Sequence, residues 1–319
     1  MSKRKSTFAA RNTFAAVSAA ALICVAVTGC GSGSGGSGDK KDIKLGLALS
    51  TLDNPFFVEM KKGAEAEAKS QGVSLNVQDA QNDPSQQADQ LQNFTSQNVK
   101  SIIINPVDSD AAAPSVKAAD NAGIPVVAVD RTVNKAEVAT TVASDNVTGG
   151  KKAARELAEQ LGGKGDILVL RGQPGTSASR ERGKGFMSAI KEYPEIKVVG
   201  KQAADFDRAK GLDVTTNLLQ SHPEATGIFA ENDEMALGAI KALGGKAGKQ
   251  VKVVGFDGTP DGFKAIRKGT LSTSIAQQPA ELGKMAVRNA IRKVQGSDPD
   301  KEIMVPVVTV DRKNVARYS

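Results

Sequence analysis

From Asp42 onward the chain alternates between two textures, and no other feature limits its fold as strongly. Short β-branched runs read as buried strands at 43–49, 73–77, 101–104, 125–129, 138–142, 166–170, around 198–199, and at 227–230 and 251–254. Between them lie helical stretches at 57–71, 86–97, 149–161, 181–191, 209–221, 234–243 and 279–294, commonly closed by glycine or proline, as at Gly72, Gly162, Pro223 and Gly244. Strands separated by single helices imply right-handed crossovers and parallel sheets clad with helices on both faces. About four such units precede Ser144 and about as many follow it. The expected architecture is α/β, two doubly wound, Rossmann-like parallel-sheet lobes.

In such sheets a ligand lies in the crevice beyond the carboxyl ends of the strands. Strand interiors here are nearly all aliphatic, whereas their exits carry amides, carboxylates, guanidiniums and rings. In chain order the exits offer Asn54, Phe56 and Phe57, then Asn105, Asp130 and Arg131, then Ser144, Asp145 and Asn146. The second half offers Arg180 and Arg182, Phe206, Asn232, Phe256 and Asp257, and Gln277. A free sugar presents hydroxyls, which need both donors and acceptors, and C–H faces, which suit flat apolar rings. Beyond residue 29 there are eight phenylalanines, and four of them (Phe56, Phe57, Phe206, Phe256) stand at strand exits. The charged candidates Asp130, Arg131, Arg182 and Asp257 sum to zero, which suits a neutral solute better than a phosphate or a dicarboxylate.

The first thirty residues have a different character. Lys3, Arg4, Lys5 and Arg11 form a positive region without an acidic residue, and a small, apolar run over 14–27 follows. That is the order of a signal peptide over 1–29; the run is shorter than the ~20 residues of a membrane-spanning helix. The segment VTGC at 27–30 resembles a bacterial lipobox, which implies cleavage before Cys30 and lipidation of its sulfur, hence attachment to the membrane. Residues 30–41 then read as a Gly/Ser-rich flexible linker. Loss of 1–29 removes four cations and no anions, so the net charge falls from +7 to +3 and argues little for a nucleic-acid partner. Cys24 leaves with the leader, and Cys30 is the only other cysteine.

A resemblance joins these readings. The segments STLDNPFF (50–57), NPVDSD (105–110), ASDNVTG (143–149), GTSASRERGKG (175–185), ADFDRAKG (204–211), ENDEMALG (231–238) and VVGFDGTPDG (253–262), with Asp130-Arg131 and the run at 275–277, resemble the ribose branch of the periplasmic sugar-binding family. The match runs in the same order over almost the whole chain after the leader. It implies a type I periplasmic binding protein whose lobes, 42–144 plus 278–306 and 145–277 plus 307–319, are joined by a three-strand hinge. It also implies that Asn54, Asp130, Arg131, Arg182, Asn232, Asp257 and Gln277 hydrogen-bond the sugar. Phe56, Phe57 and Phe206 would sandwich the ring, Phe256 would support that wall, and Asn105 would line the same crevice. The second arginine of the 180–182 triplet is the one matched, leaving Arg180 structural or exposed. Asp53 departs from the pattern, standing where this branch often has Asn. The implied partners are a monosaccharide, D-ribose first, and the permease subunits of an ABC importer, with the protein monomeric and free of cofactors; other sugars such as allose, galactose, xylose or a furanose-like signalling molecule are alternatives.

Other signals carry little. Gly31, Gly33 and Gly36 match a dinucleotide-binding string but follow no strand and open no helix. His222, the only histidine, stands at a helix end, so a transition-metal site or a Cys/His or Ser/His catalytic group is not expected. A regulator sharing the two-lobe architecture would need a DNA-binding helix-turn-helix where this chain carries its export signal, and an enzyme would need turnover chemistry that the amides and arginines do not suggest.

Overall fold

A computed structural model describes residues 43–318. The expected leader at 1–29, Cys30 and the linker over 30–41 lie outside the described residues. No helix among the described residues is long and apolar enough to cross a membrane.

The chain builds two six-stranded sheets. The first contains β1 (Lys44–Leu49), β2 (Ser74–Asp79), β3 (Ser101–Ile104), β4 (Val126–Val129), β5 (Thr140–Ser144) and, from near the carboxyl end, β11 (Glu302–Val305), in the order 2-1-3-4-5-11. The second contains β6 (Lys164–Arg171), β7 (Glu195–Ala203), β8 (Gly227–Ala230), β9 (Lys252–Asp257), β10 (Thr273–Ala276) and β12 (Val308–Asp311), in the order 7-6-8-9-10-12. The two orders are the same pattern, each reversing once, between β1 and β3 and between β6 and β8. Such a reversal opens a crevice at the strand ends, because the crossovers on either side leave over opposite faces.

The alternation within each strand explains the layers. On β1, Leu45, Leu47 and Leu49 enter one core with α1 (Pro55–Gln71) and α9 (Pro279–Val294), while Ala48 enters the other with α2 (Pro84–Ser96) and α3 (Ala113–Asn121). In the second lobe, Ile228 and Ala230 face α7 (Asp233–Leu243), in the layer shared with α6 (Arg208–Ser221) and α8 (Pro260–Lys268). Phe229 between them faces the layer of α4 (Asn146–Gln160) and α5 (Ser177–Ala189), stacked on Phe186 at 4.2 Å. Both sides of β1, β4 and β8 are therefore apolar, as parallel sheets with two covered faces require.

One edge departs from the parallel expectation: β12 runs antiparallel to β10. It follows β11 of the other sheet after only Pro306 and Val307, so the chain leaves the carboxyl end of the first sheet and enters the second at once, against the direction of its strands. The chain thus passes between the sheets three times, after β5, after β10 and between β11 and β12. Helices α3 and α8 and strand β10 are elements that sequence periodicity does not bring out. In β10 the reason is chemical: Thr273 and Ser274 are fully buried polar residues, and Ser274 Oγ donates to Asp233 at 2.8 Å.

Helix starts coincide with strand exits, and this places the site. Asn54, Asp145, Thr176, Asp207, Asn232 and Thr259 each cap the following helix with a side-chain oxygen. At Asn54 and Asn232 that polarity is demanded twice, once by the unpaired helix N–H groups and once by the crevice they line.

Candidate functional site

In the first lobe, Asn54 Oδ1 accepts from Phe56 N–H at 2.9 Å, so its amide nitrogen is the group left for a ligand. Phe56 and Phe57 open α1 and meet edge to face, with ring centroids 5.2 Å apart. Asp130 follows β4 with φ +67, a backbone region that L residues adopt only when surroundings impose it. Asn105 does the imposing. Its Oδ1 accepts from Ser50 Oγ at 2.6 Å, while its Nδ2 donates to Val129 O at 3.2 Å and to Asp130 Oδ2 at 3.1 Å. Arg131 donates from Nη1 to Pro106 O at 2.9 Å, and its guanidinium carbon lies 5.2 Å from the Phe57 ring centre.

The second lobe supplies the opposing wall. Arg182, on α5, donates from Nε to Asn146 Oδ1 at 2.9 Å and from Nη1 to Glu231 O at 2.7 Å; Nη1 also lies 3.4 Å from Asp257 Oδ1. The Phe256 ring centre is 3.9 Å beneath that guanidinium. Asn232 repeats the arrangement of Asn54: its oxygen caps α7 by accepting from Met235 N–H at 2.9 Å, and its nitrogen donates to Phe206 O at 3.2 Å. Gln277 Nε2 donates to Asp257 Oδ1 at 2.7 Å. Phe206 and Asp257, like Asp130, have positive φ, +62 and +113.

Ten of the twelve residues singled out from the sequence line one cavity of about 240 Å³ between the lobes: Asn54, Phe56, Phe57, Asp130, Arg131, Arg182, Phe206, Asn232, Asp257 and Gln277. The other two are buried behind it. Phe256 packs under Arg182, and Asn105 fixes Asp130. Ala178 completes the lining, and no signal in the sequence marks so small a residue. Arg180 is exposed, its Nη1 donating to Gly175 O at 3.1 Å. Asp53 is also exposed; it borders a wider outer space of about 840 Å³ with Asp205, Asp207 and Arg208, not the inner cavity.

Asp130 Oδ1, Arg131 Nε and Gln277 Oε1 are buried without a hydrogen-bond partner. Native proteins pair nearly all such groups, so two acceptors and a donor left open around one cavity call for a ligand carrying both kinds of partner. Burial pushes the Asp257 carboxyl up to about 8, against the pull of Arg182, and raises Asp130 as well. Burial, with the neighbouring Arg182 charge adding to it, brings Arg131 down to about 10. Behind the wall, burial lifts Glu231 to about 7 and Asp233 to about 6. Among the described residues no group of histidine, cysteine and carboxylate side chains could hold a metal ion.

Known proteins resemble this one closely. A family model described as periplasmic binding protein domain matches residues 45–298. The ribose import binding protein RbsB of Bacillus subtilis (strain 168) is 46% identical over 271 residues, 85% of this chain and 88% of that protein. Among solved structures, an ABC transporter solute binding protein from Bacillus halodurans C-125 with bound myo-inositol superposes with a TM-score of 0.83 at 34% identity, covering 88% of this chain and 99% of that one. One from Actinobacillus succinogenes 130z with bound D-allose gives 0.81 at 34% identity, covering 86% and 100%. Fold and sequence agree, and the chain belongs to the periplasmic binding protein family, of the type I architecture with two α/β lobes.

Proposed function

We propose that the protein captures a neutral monosaccharide, D-ribose first, between its lobes and delivers it to the permease of an ABC importer. The observation that carries this reading is the mixed set of open groups around the cavity: Asp130 Oδ1 and Gln277 Oε1 as acceptors, Arg131 Nε as donor. Hydroxyls supply both partners at once, whereas a phosphate supplies only acceptors and would meet Asp130 and Asp257. The rings of Phe56, Phe57 and Phe206 cover the C–H faces of the sugar. Asn54, Asp130, Arg131, Arg182, Asn232, Asp257 and Gln277 bond its hydroxyls, with Asn105 and Phe256 holding them in place. The match to a ribose import protein favours ribose over the other sugars. The protein acts as a monomeric binding protein, not an enzyme, on the outer face of the membrane to which Cys30 anchors it.

A melting-temperature panel of neutral monosaccharides tests the ligand. Ligand that binds only the native state stabilises it by about 2.7 kcal/mol at a hundredfold excess over Kd. D-ribose is expected to raise the melting temperature, and Arg131→Ala to abolish that rise while leaving the circular dichroism of the folded state intact. A response confined to hexoses transfers the site to them; silence across the panel rejects sugar binding altogether.

A further inference from the structure

The lobes also touch outside the cavity, through hydroxyls and backbone groups that the sugar reading does not use. Ser109 N–H, in the first lobe, donates to Gly175 O in the second at 3.0 Å. In return, Ser177 N–H donates to Ser109 Oγ at 3.2 Å, and Thr132 N–H donates to Ser177 Oγ at 2.9 Å. Ser109 is fully buried and Ser177 is 3% exposed, and neither lines the cavity. All three bonds join one lobe to the other, so they exist only when the lobes are together.

Their position gives them leverage. Thr132 follows Arg131, while Ser177 begins the helix that carries Arg182. Both guanidiniums stand over the Phe206 ring, at 5.7 and 5.6 Å from its centre. Closure therefore drives two like charges toward one ring, and the bonds at Ser177 tie together the two segments that bear those charges. We infer that Ser109, Ser177 and the Thr132 backbone form an interlobe latch that sets how long a bound sugar stays, without touching it; this rests on the reading that the cleft closes over a sugar. Ser109 and Ser177 are positioning residues. Because the latch does not contact the ligand, every sugar that binds must feel its loss equally.

The test uses Ser177→Ala in the full chain, which removes the bond from Thr132 N–H at 2.9 Å, with Ser109→Ala as a second variant that removes the longer one from Ser177 N–H at 3.2 Å. Alanine is tolerated as the first residue of α5, whose cap is Thr176. Stopped-flow dissociation is followed for D-ribose and a second sugar from the panel. Ser177→Ala is expected to raise the dissociation rate roughly tenfold, as the loss of about one hydrogen bond implies. The factor should be the same for both sugars, with little change in association rate or in the unliganded melting temperature. An unchanged dissociation rate, factors that differ between sugars, or a matching fall in the unliganded melting temperature overturns the latch. Should the wild type bind no sugar, the sugar reading fails by itself, and X-ray scattering of the unliganded proteins decides the latch: a more open Ser177→Ala supports it and an identical profile overturns it.

Discussion

Asp257 is where charge and ligand meet most directly. Burial holds its carboxyl up to about 8, so the unliganded site favours the proton. Sugar hydroxyls donating to the carboxylate favour the charged form and lower that value, which couples binding to proton release. The sign follows for both processes. The stability that Asp257 gives the unliganded fold is present below the ordinary carboxylate range and is lost as pH rises through about 8. Affinity for sugar moves the other way, strongest above about 8 and weakening by up to about tenfold per pH unit as pH falls below it. Titration calorimetry between pH 5.5 and 8.5, in buffers of differing ionisation enthalpy, should detect the released proton, and Asp257→Asn should flatten the profile. Affinity that rises toward low pH contradicts this coupling. Asp257 itself was legible in the sequence, because a carboxylate leaving an aliphatic strand has few structural reasons to be there. Asn105 was legible as part of the crevice, but its grip on Asp130 was not, since only the folded chain brings together two side chains 25 positions apart.

At the scale of elements, the packing of α4 against α5 decides where Arg182 stands. A Cβ at Gly150 would lie 2.1 Å from the carbonyl oxygen of Arg182 and 2.8 Å from Phe186 N, so the helices touch backbone to backbone. Gly150→Ala is expected to destabilise the fold by about 1–3 kcal/mol, the usual cost of overpacking. It should also weaken sugar binding by displacing α5 together with Ala178 and Arg182. Chemical denaturation and the sugar-induced melting shift measure the two effects; a stable variant with full affinity would show that the helix pair can yield. Periodicity in the sequence places α4 from residue 149, whereas it begins at Asn146 and carries Gly149 and Gly150 inside it. Two adjacent glycines resemble a boundary until the partner helix that needs their bare backbone is known. The strands aliphatic on both faces were the readable elements, since no polar position blurs them. Strand β10, where Thr273 and Ser274 are buried and Ser274 serves Asp233, was not.

At the scale of the molecule, the two lobes supply opposing walls of the site, so closure without ligand leaves buried groups unpaired. Each such group costs about 1–3 kcal/mol, and at least Asp130 Oδ1, Arg131 Nε and Gln277 Oε1 are in that position. Small-angle scattering is therefore expected to show a smaller radius of gyration with sugar than without; equal values would exclude closure as the response to ligand. The cross-lobe serines were beyond the reach of sequence, because Ser109 and Ser177 meet only through the mutual placement of the two lobes. The three passages of the chain between the sheets shape how that placement can change. One connection would be a swivel and two would define an axis. A third restrains twisting about any other line, like the last pin in a door hinge. The lobes are thereby left close to a single degree of freedom, and a pair of dyes spanning the mouth at Asp53 and Asp207 would read that one coordinate directly.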